Sequence, residues 1–286
     1  MFISLIPHMN HHSGKPKIRL SSLSKFSNTE SKIHSQGIHT ICESGLCPNK
    51  RECWGRGTAT FMILGDICTR ACKFCGVDTG KPLIPDRTEP LRIAKTIKEF
   101  GLKHVVLTSV DRDDLSDYGA EIWCETVNAI RLENPHCTIE TLIPDFNGKV
   151  NLLDLIIEVA PEIVSHNMET VRSLTPNVRS VATYNTSLNV LTYLSSKGIT
   201  TKSGIMLGLG ETIEEVLETI TDIRHTGCSI LTIGQYFQPT KKHYHVKAFI
   251  QKEIFDNLKI KALELGFKHV ESGVLVRSSY HAETQI

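Results

Sequence analysis

Thr60-Phe-Met-Ile-Leu-Gly-Asp-Ile-Cys68-Thr-Arg-Ala-Cys72-Lys-Phe-Cys75 joins a short apolar run directly to three cysteines in a C-x3-C-x2-C spacing. The run at 60–65 shows little polar alternation, as in a strand covered on both faces of a parallel sheet. A loop at the carboxyl end of such a strand is where parallel barrels assemble their active sites. Tight spacing lets one loop wrap one cluster. Three thiolates then reach three irons of a cubane and leave the fourth iron open to a substrate. The alternatives are a zinc site or scattered structural thiols. Zinc sites generally pair two C-x2-C units, and no second unit follows downstream.

Outward from this stretch, apolar β-type runs recur at 104–109, 137–143, 162–166, 202–207 and 229–235. Helical periodicity fills the intervals at 90–100, 118–133, 151–159, 185–197, 212–224 and 252–265. Pro90 and Gly101 bracket the first of these in the usual Pro-in, Gly-out sense. Thr212 is a cap, with Glu214 and Glu215 in the first turn, where carboxylates favour the helix dipole. Repeated strand–helix order implies right-handed crossovers and a parallel sheet. Six units, not eight, give an α/β fold: a partial, open (β/α)6 TIM-type barrel. The expected organisation is an N-terminal strap and metal segment at 1–59, the barrel at 60–250, and a C-terminal helix and extension at 251–286.

Composition sets the class. The 286 residues, 40% hydrophobic and 22% charged, suit a globular protein with a substantial core. A net charge of +1 leaves no footprint for nucleic acid or an anionic membrane, and no apolar run approaches a membrane span. The opening Met1-Phe-Ile-Ser-Leu-Ile-Pro7 lacks the basic lead-in and cleavage site of a secretory signal. The Ser- and Lys-rich stretch at 8–36 reads as a basic strap rather than a transit peptide, since no Arg-rich amphipathic helix runs through it. Six of nine cysteines cluster at ligand spacing, which indicates a reducing compartment, the cytoplasm by expectation, with an organelle matrix second.

The other triplet, Cys42-Glu-Ser-Gly-Leu-Cys47-Pro-Asn-Lys-Arg-Glu-Cys53, precedes the barrel with C-x4-C-x5-C spacing. Three soft ligands again suggest a metal centre one protein ligand short of four. Taken alone it could equally be an electron-relay cluster. Gly208, Gly210 and Glu211 follow a buried-type strand, where glycines let a backbone approach a ligand, although a tight strand–helix turn needs the same residues. Thr108, Ser109, Asp111 and Asn167 lie at strand ends and could hold a ligand. His166 reads as an oriented structural histidine, and Cys124, Cys137 and Cys228 as buried apolar residues. Arg179 and Arg277 suit carboxylate pairing or surface ion pairs. Lys241-Lys-His-Tyr-His245 fits a solvated loop as well as a partner surface.

With Phe74 as its aromatic, C-x3-C-x-aromatic-C resembles the signature of radical S-adenosylmethionine (SAM) enzymes. The first triplet resembles the auxiliary-cluster motif of the lipoyl synthase family. So do Gly37-Ile-His-Thr-Ile-Cys42, Gly57-Thr-Ala-Thr-Phe-Met-Ile-Leu-Gly65, Thr108-Ser-Val-Asp-Arg-Asp-Asp114, His166-Asn-Met-Glu-Thr-Val171, Lys202-Ser-Gly-Ile-Met-Leu-Gly-Leu-Gly-Glu211, Gln235-Tyr-Phe-Gln-Pro-Thr240 and Arg277-Ser-Ser-Tyr-His-Ala282. The likeness runs from residue 37 to the end. Val274 and Ser180 depart from it, each where Pro is expected, and neither is expected to touch a cluster ligand.

The resemblance implies two 4Fe–4S clusters and SAM as cofactors. Cys68, Cys72 and Cys75 would hold the SAM-cleaving cluster, whose open iron chelates the amino and carboxylate groups of SAM. Cys42, Cys47 and Cys53 would hold the auxiliary, sulfur-donating cluster, with Ser279 as fourth ligand and Ser278 as the other candidate; without the resemblance, this serine pair is a polar turn. It favours SAM contact at Gly208, Gly210 and Glu211, with Ser109 and Asn167 expected to hold SAM or substrate. The implied reaction inserts sulfur at C6 and C8 of an octanoyl group on a lysine of a lipoyl carrier domain. Implied partners are 2-oxoacid dehydrogenase E2 subunits, the glycine-cleavage H protein, a low-potential ferredoxin or flavodoxin, and a cluster-assembly carrier. A methylthiotransferase-like radical SAM enzyme and a non-catalytic iron–sulfur or zinc scaffold are the rival readings.

Overall fold

The computed structural model describes residues 23–55 and 59–285. The apolar opening stretch, the first part of the Ser- and Lys-rich segment, and Gly57-Thr58 of the family-like motif lie outside the described residues. The N-terminal segment contributes α1 (Leu23–Ser35), a short strand β1 (His39–Thr40), α2 (Ile41–Ser44) and α3 (Lys50–Gly55). The barrel opens with β2 (Thr60–Ile63). A small two-stranded ribbon of β3 (Ile67–Cys68) and β4 (Asp78–Thr79) carries the cysteine loop between its strands. Then α4 (Glu89–Phe100), β5 (His104–Ser109), α5 (Ala120–Glu133), β6 (Thr138–Leu142), α6 (Val150–Glu158) and β7 (Ile163–Ser165) alternate. The second half comprises α7 (Thr175–Val178), α8 (Tyr184–Ser196), β8 (Thr201–Leu207), α9 (Ile213–His225), β9 (Ile230–Gln235), α10 (Lys252–Glu264) and β10 (His269–Gly273).

These strands form one sheet in the order β1-β2-β5-β6-β7-β8-β9-β10. Every pairing from β2 to β10 is parallel, and β1 alone runs antiparallel, along β2. The six expected strand–helix units are present, with ends within a residue or two of the expected ones. Parallel pairing explains the unbroken apolar runs: β9 is buried at all six positions and β8 at six of seven. The barrel interior is nonetheless partly polar. Glu140 on β6 and Lys202 on β8, both buried, form an ion pair at 3.0 Å, and Ser165 Oγ donates to Glu140 at 2.8 Å. Satisfied in this way, the two charges tolerate burial.

Helix ends follow their local chemistry. In α4 Pro90 occupies the first turn, and Gly101 closes it in the left-handed region at φ 64°. α9 begins with a complete capping box: Thr212 accepts the Glu215 N–H while Glu215 accepts the Thr212 N–H. Beyond β10 the chain folds back over β9, close enough that a Cβ on Gly234 would meet the Val276 carbonyl at 2.3 Å. Arg277-Ser-Ser-Tyr therefore lies at the open side of the barrel and leads to a 3-10 turn, Ala282–Thr284, against β5. Among the described residues no helix is long and apolar enough to cross a membrane.

Candidate active site

The chain leaves β2 through a sharp turn, Leu64 and Gly65 both adopting left-handed angles (φ 68° and 86°). Leu64 carries the steric cost of that conformation, and the Glu89 carboxylate holds it by accepting the Leu64 N–H at 2.7 Å. The cysteine loop follows at the carboxyl end of the sheet. Cys68, Cys72 and Cys75 line a cavity of about 270 Å³ that also takes in Thr108, Ser109, Asp111, His166, Asn167 and Glu169.

Two anchors shape this loop. Phe74 lines one wall of the cavity and packs against an apolar nest of Val178, Leu209 and Tyr236. That contact gives the signature's aromatic a packing role. Just before it, the Lys73 N–H donates to the Val178 carbonyl at 2.9 Å, and the Lys73 carbonyl accepts the Tyr244 N–H at 2.8 Å. The basic 241–245 stretch is thus tied onto the cysteine loop. The second anchor is Arg70, whose buried guanidinium grips Asp113 through two bonds (2.8 and 2.7 Å) and Asp145 at 2.8 Å, with Asp111 at 3.3 Å. Hydrogen bonds and charge from these carboxylates raise the Arg70 pKa against burial. Asp111 is pushed up to about 6, because burial outweighs the attraction of Arg70.

The thiols are prepared for metal in a specific sense. Burial pushes Cys68 up to about 11 and Cys75 up to about 12, so both are neutral thiols until something displaces their protons. Yet Cys68 Sγ accepts the backbone N–H of Arg70 at 3.4 Å and of Asp111 at 3.3 Å. Cys75 accepts that of Val77. These donors favour a thiolate once a cation stands opposite. Among the described residues no three His, Cys, Asp or Glu side chains converge on a point that would hold a single metal ion. Three soft sulfur donors lining one cavity suit a polynuclear iron–sulfur cluster. Ser109 Oγ and Asn167 Oδ1 are buried without a protein partner, which suits a polar ligand beside that cluster.

The other triplet lies at the opposite, amino-terminal end of the sheet. Cys42, Cys47 and Cys53 line a cavity of about 630 Å³ with Thr60, Arg277 and Ser279. The segment wraps through local bonds, Cys47 N–H to the Cys42 carbonyl at 3.1 Å and Cys53 N–H to the Asn49 carbonyl at 2.9 Å. Burial raises Cys42 to about 11. Its sulfur accepts the Thr60 backbone N–H and faces the Trp54 indole as a second donor. Cys47 is raised by burial too, opposed by the N–H groups of Asn49 and Lys50 and by the Arg277 cation. Asn49 Nδ2 donates to the Leu275 carbonyl at 2.6 Å, clipping the N-terminal segment to the C-terminal one. Thr60 Oγ1 donates to Ser279 Oγ at 2.8 Å.

The expected residues therefore divide cleanly. Each triplet lines its own cavity. Ser279 lies with the first triplet and Ser278 with the second; Ile41 and Cys42 divide the same way. These two dipeptides stand between the cavities. Gly208, Gly210 and Glu211 line neither. Glu211 caps its own turn by accepting the N–H groups of Gly208 (2.5 Å) and Leu209 (2.9 Å), and a Cβ on Gly208 would strike the Ala248 carbonyl at 2.3 Å. His166 is buried and bonded at both ring nitrogens, to the Ile143 carbonyl (3.0 Å) and Ser187 Oγ (2.9 Å), and burial lowers it to about 4. Arg179 donates to the same serine at 2.7 Å and lines the cavity of the Cys68 triplet, while Arg277 sits beside Cys47. Cys137 and Cys228 are buried apart from both sites and Cys124 is partly buried. One expectation is corrected: Ser180 does touch a cluster ligand, its Oγ lying 3.6 Å from Cys72 Sγ. Arg70, Asp145, Glu169 and Thr60 were not singled out as site residues. The position of Arg70 inside the cysteine loop was the one available signal.

Comparison with known proteins matches residues 62–223 to the radical SAM superfamily. Over 277 residues the chain is 57% identical to a lipoyl synthase of Flavobacterium psychrophilum, covering 96% of each. It is 57% identical over 276 residues to a mitochondrial lipoyl synthase of Nematostella vectensis, covering 95% of each. A lipoyl synthase of Parabacteroides distasonis is 53% identical over 281 residues, covering 97% of this chain and all of that one. Among solved structures, methylornithine synthase aligns with TM-score 0.56 at 15% identity, over 92% of this chain and 82% of that one. Streptococcus suis SuiB bound to S-adenosylmethionine aligns with TM-score 0.59 at 10% identity, over 79% and 55%. These structural likenesses concern the fold.

Proposed function

Because this chain belongs to the lipoyl synthase family of the radical SAM superfamily, we propose that it inserts sulfur at C6 and C8 of an octanoyl group carried on a lysine of a lipoyl domain, using two distinct clusters. In this reading Cys68, Cys72 and Cys75 hold the SAM-cleaving 4Fe–4S cluster; Cys42, Cys47, Cys53 and Ser279 hold the auxiliary one. When bound, the first cluster with SAM supplies a 5′-deoxyadenosyl radical and the second supplies sulfur.

The chain's own residues position, desolvate and tune. Arg70 and Phe74 fix the cysteine loop, and backbone N–H groups turn toward the sulfurs. Ser109 and Asn167 offer unsatisfied polar atoms to SAM or substrate, with Glu169 and Arg179 on the same cavity wall. His166, neutral and doubly bonded, holds its loop in place and moves no proton. The Ile41–Cys42 and Ser278–Ser279 walls place the two chemistries on either side of a thin partition. That pairing of two triplet-lined cavities across one partition is the observation that most supports the reading. Expected partners are octanoylated 2-oxoacid dehydrogenase E2 domains and the glycine-cleavage H protein, a ferredoxin or flavodoxin donor, and a cluster-assembly carrier. The expected compartment is the cytoplasm.

The test is anaerobic turnover of an octanoyl-lysyl peptide with SAM and dithionite, followed by mass spectrometry. A product gaining two sulfurs, with 5′-deoxyadenosine formed alongside, supports the proposal. 5′-Deoxyadenosine with no sulfur in the peptide would point to another radical SAM reaction, and intact SAM to a non-catalytic scaffold.

A further inference from the structure

We infer that Thr60 is a positioning residue that joins the two extensions to the barrel at the auxiliary site. The inference rests on the reading that Ser279 is the fourth ligand there. Thr60 is the first residue of β2, 5% exposed, and its backbone is fixed by pairing with Val106 of β5. From that fixed point it makes two bonds in different directions. Its backbone N–H donates to Cys42 Sγ, a group brought by the N-terminal segment. Its Oγ1 donates to Ser279 Oγ at 2.8 Å, a group brought by the C-terminal segment 219 residues later. One residue of the sheet thus touches a sulfur and an oxygen of the proposed donor set.

A serine oxygen is a hard, weak partner for cluster iron and loses its proton reluctantly. A hydroxyl donor aimed at it stabilises negative charge on that oxygen and holds its rotamer. The Thr60 backbone bond would survive substitution of the side chain, so the two contacts can be separated. Thr60→Val keeps size and branching and deletes the donor, while Thr60→Ser restores it.

The experiment compares wild type, Thr60→Val, Thr60→Ser and Ser279→Ala after anaerobic loading with ⁵⁷Fe. Mössbauer spectra are recorded, together with the rate at which a chelator removes auxiliary iron. Thr60→Val is expected to perturb the oxygen-ligated iron as Ser279→Ala does, and to lose auxiliary iron roughly threefold to tenfold faster than wild type. Thr60→Ser is expected to match wild type, and signals of the Cys68/Cys72/Cys75 cluster to stay unchanged in all four proteins. If Ser279→Ala alters the spectrum and Thr60→Val does not, the inference fails while the ligand reading stands. If Thr60→Ser is disturbed as much as Thr60→Val, packing rather than donation is responsible and the inference fails. If Ser279→Ala changes nothing, the ligand reading fails and the role of Thr60 falls with it.

Discussion

At Cys72 one side chain departs from the expected family pattern. Ser180 stands where Pro is expected and places a hydroxyl 3.6 Å from the cysteine sulfur. A donor to a cluster sulfur raises the reduction potential. Ser180→Ala is therefore expected to lower the potential of the SAM-site cluster by roughly 20–60 mV, read by redox titration with EPR detection; an unchanged potential would dismiss the contact. His166 carries the opposite expectation, that nothing happens. Its folded pKa, lowered to about 4, lies below the usual histidine value because burial disfavours the cation. Stability from keeping it neutral is fully present above about pH 6.5 and is lost as pH falls toward 4. In apo-protein NMR its ring signals should not titrate between pH 8 and pH 5.5; a midpoint near the usual value would contradict the buried, doubly bonded geometry. The sulfur triplets and Phe74 were legible because their spacing is local. Arg70–Asp113, Arg70–Asp145 and Thr60–Ser279 join residues 43, 75 and 219 positions apart, and no spacing rule reaches that far.

Among the elements, the cysteine loop depends on its buried ion cluster more than on its length. Removing one partner of a buried ion pair costs about 3–5 kcal/mol. Arg70→Gln should therefore lower iron occupancy at the SAM-site triplet several-fold while leaving the auxiliary cluster loaded, as iron analysis combined with EPR would show. Equal loss at both clusters would mean a general folding defect instead. The N-terminal segment is held by Trp54, fully buried with Lys50 over its ring at 4.2 Å. Trp54→Ala should cost about 3–5 kcal/mol and strip the auxiliary site first, with the apo-protein melting temperature reporting the stability loss. The six strand–helix units were readable because their strands are buried on both faces. β10 was not, since only Val270 of its five residues is buried and His269-Val-Glu-Ser-Gly273 has no apolar run to find. β1, two residues long, is too short for any periodicity.

The whole molecule is a parallel barrel with a sulfur-lined cavity at each end and a shared partition of Ile41–Cys42 and Ser278–Ser279 between them. Sequence could place one triplet before the barrel and one after its first strand, but not the opposition of the two ends, which follows from β1 running antiparallel along β2 and so delivering Cys42 to the amino-terminal end. The same arrangement makes cluster loading proton-linked. With Cys42 and Cys68 raised to about 11 and Cys75 to about 12, each thiol must release a proton on binding iron. Each pH unit below those values then opposes loading by about 1.36 kcal/mol per proton. Anaerobic reconstitution should accordingly become more complete from pH 7 to pH 9, measured as iron per chain, and a flat dependence would mean the thiols are already ionised. The central claim is that the triplet at the amino-terminal end holds the sulfur that the reaction consumes. It is tested most directly by quantifying both clusters by Mössbauer spectroscopy before and after one turnover on an octanoyl-lysyl peptide. The Cys68/Cys72/Cys75 cluster should persist and the Cys42/Cys47/Cys53 cluster should disappear in proportion to product; product formed with both clusters intact would contradict it.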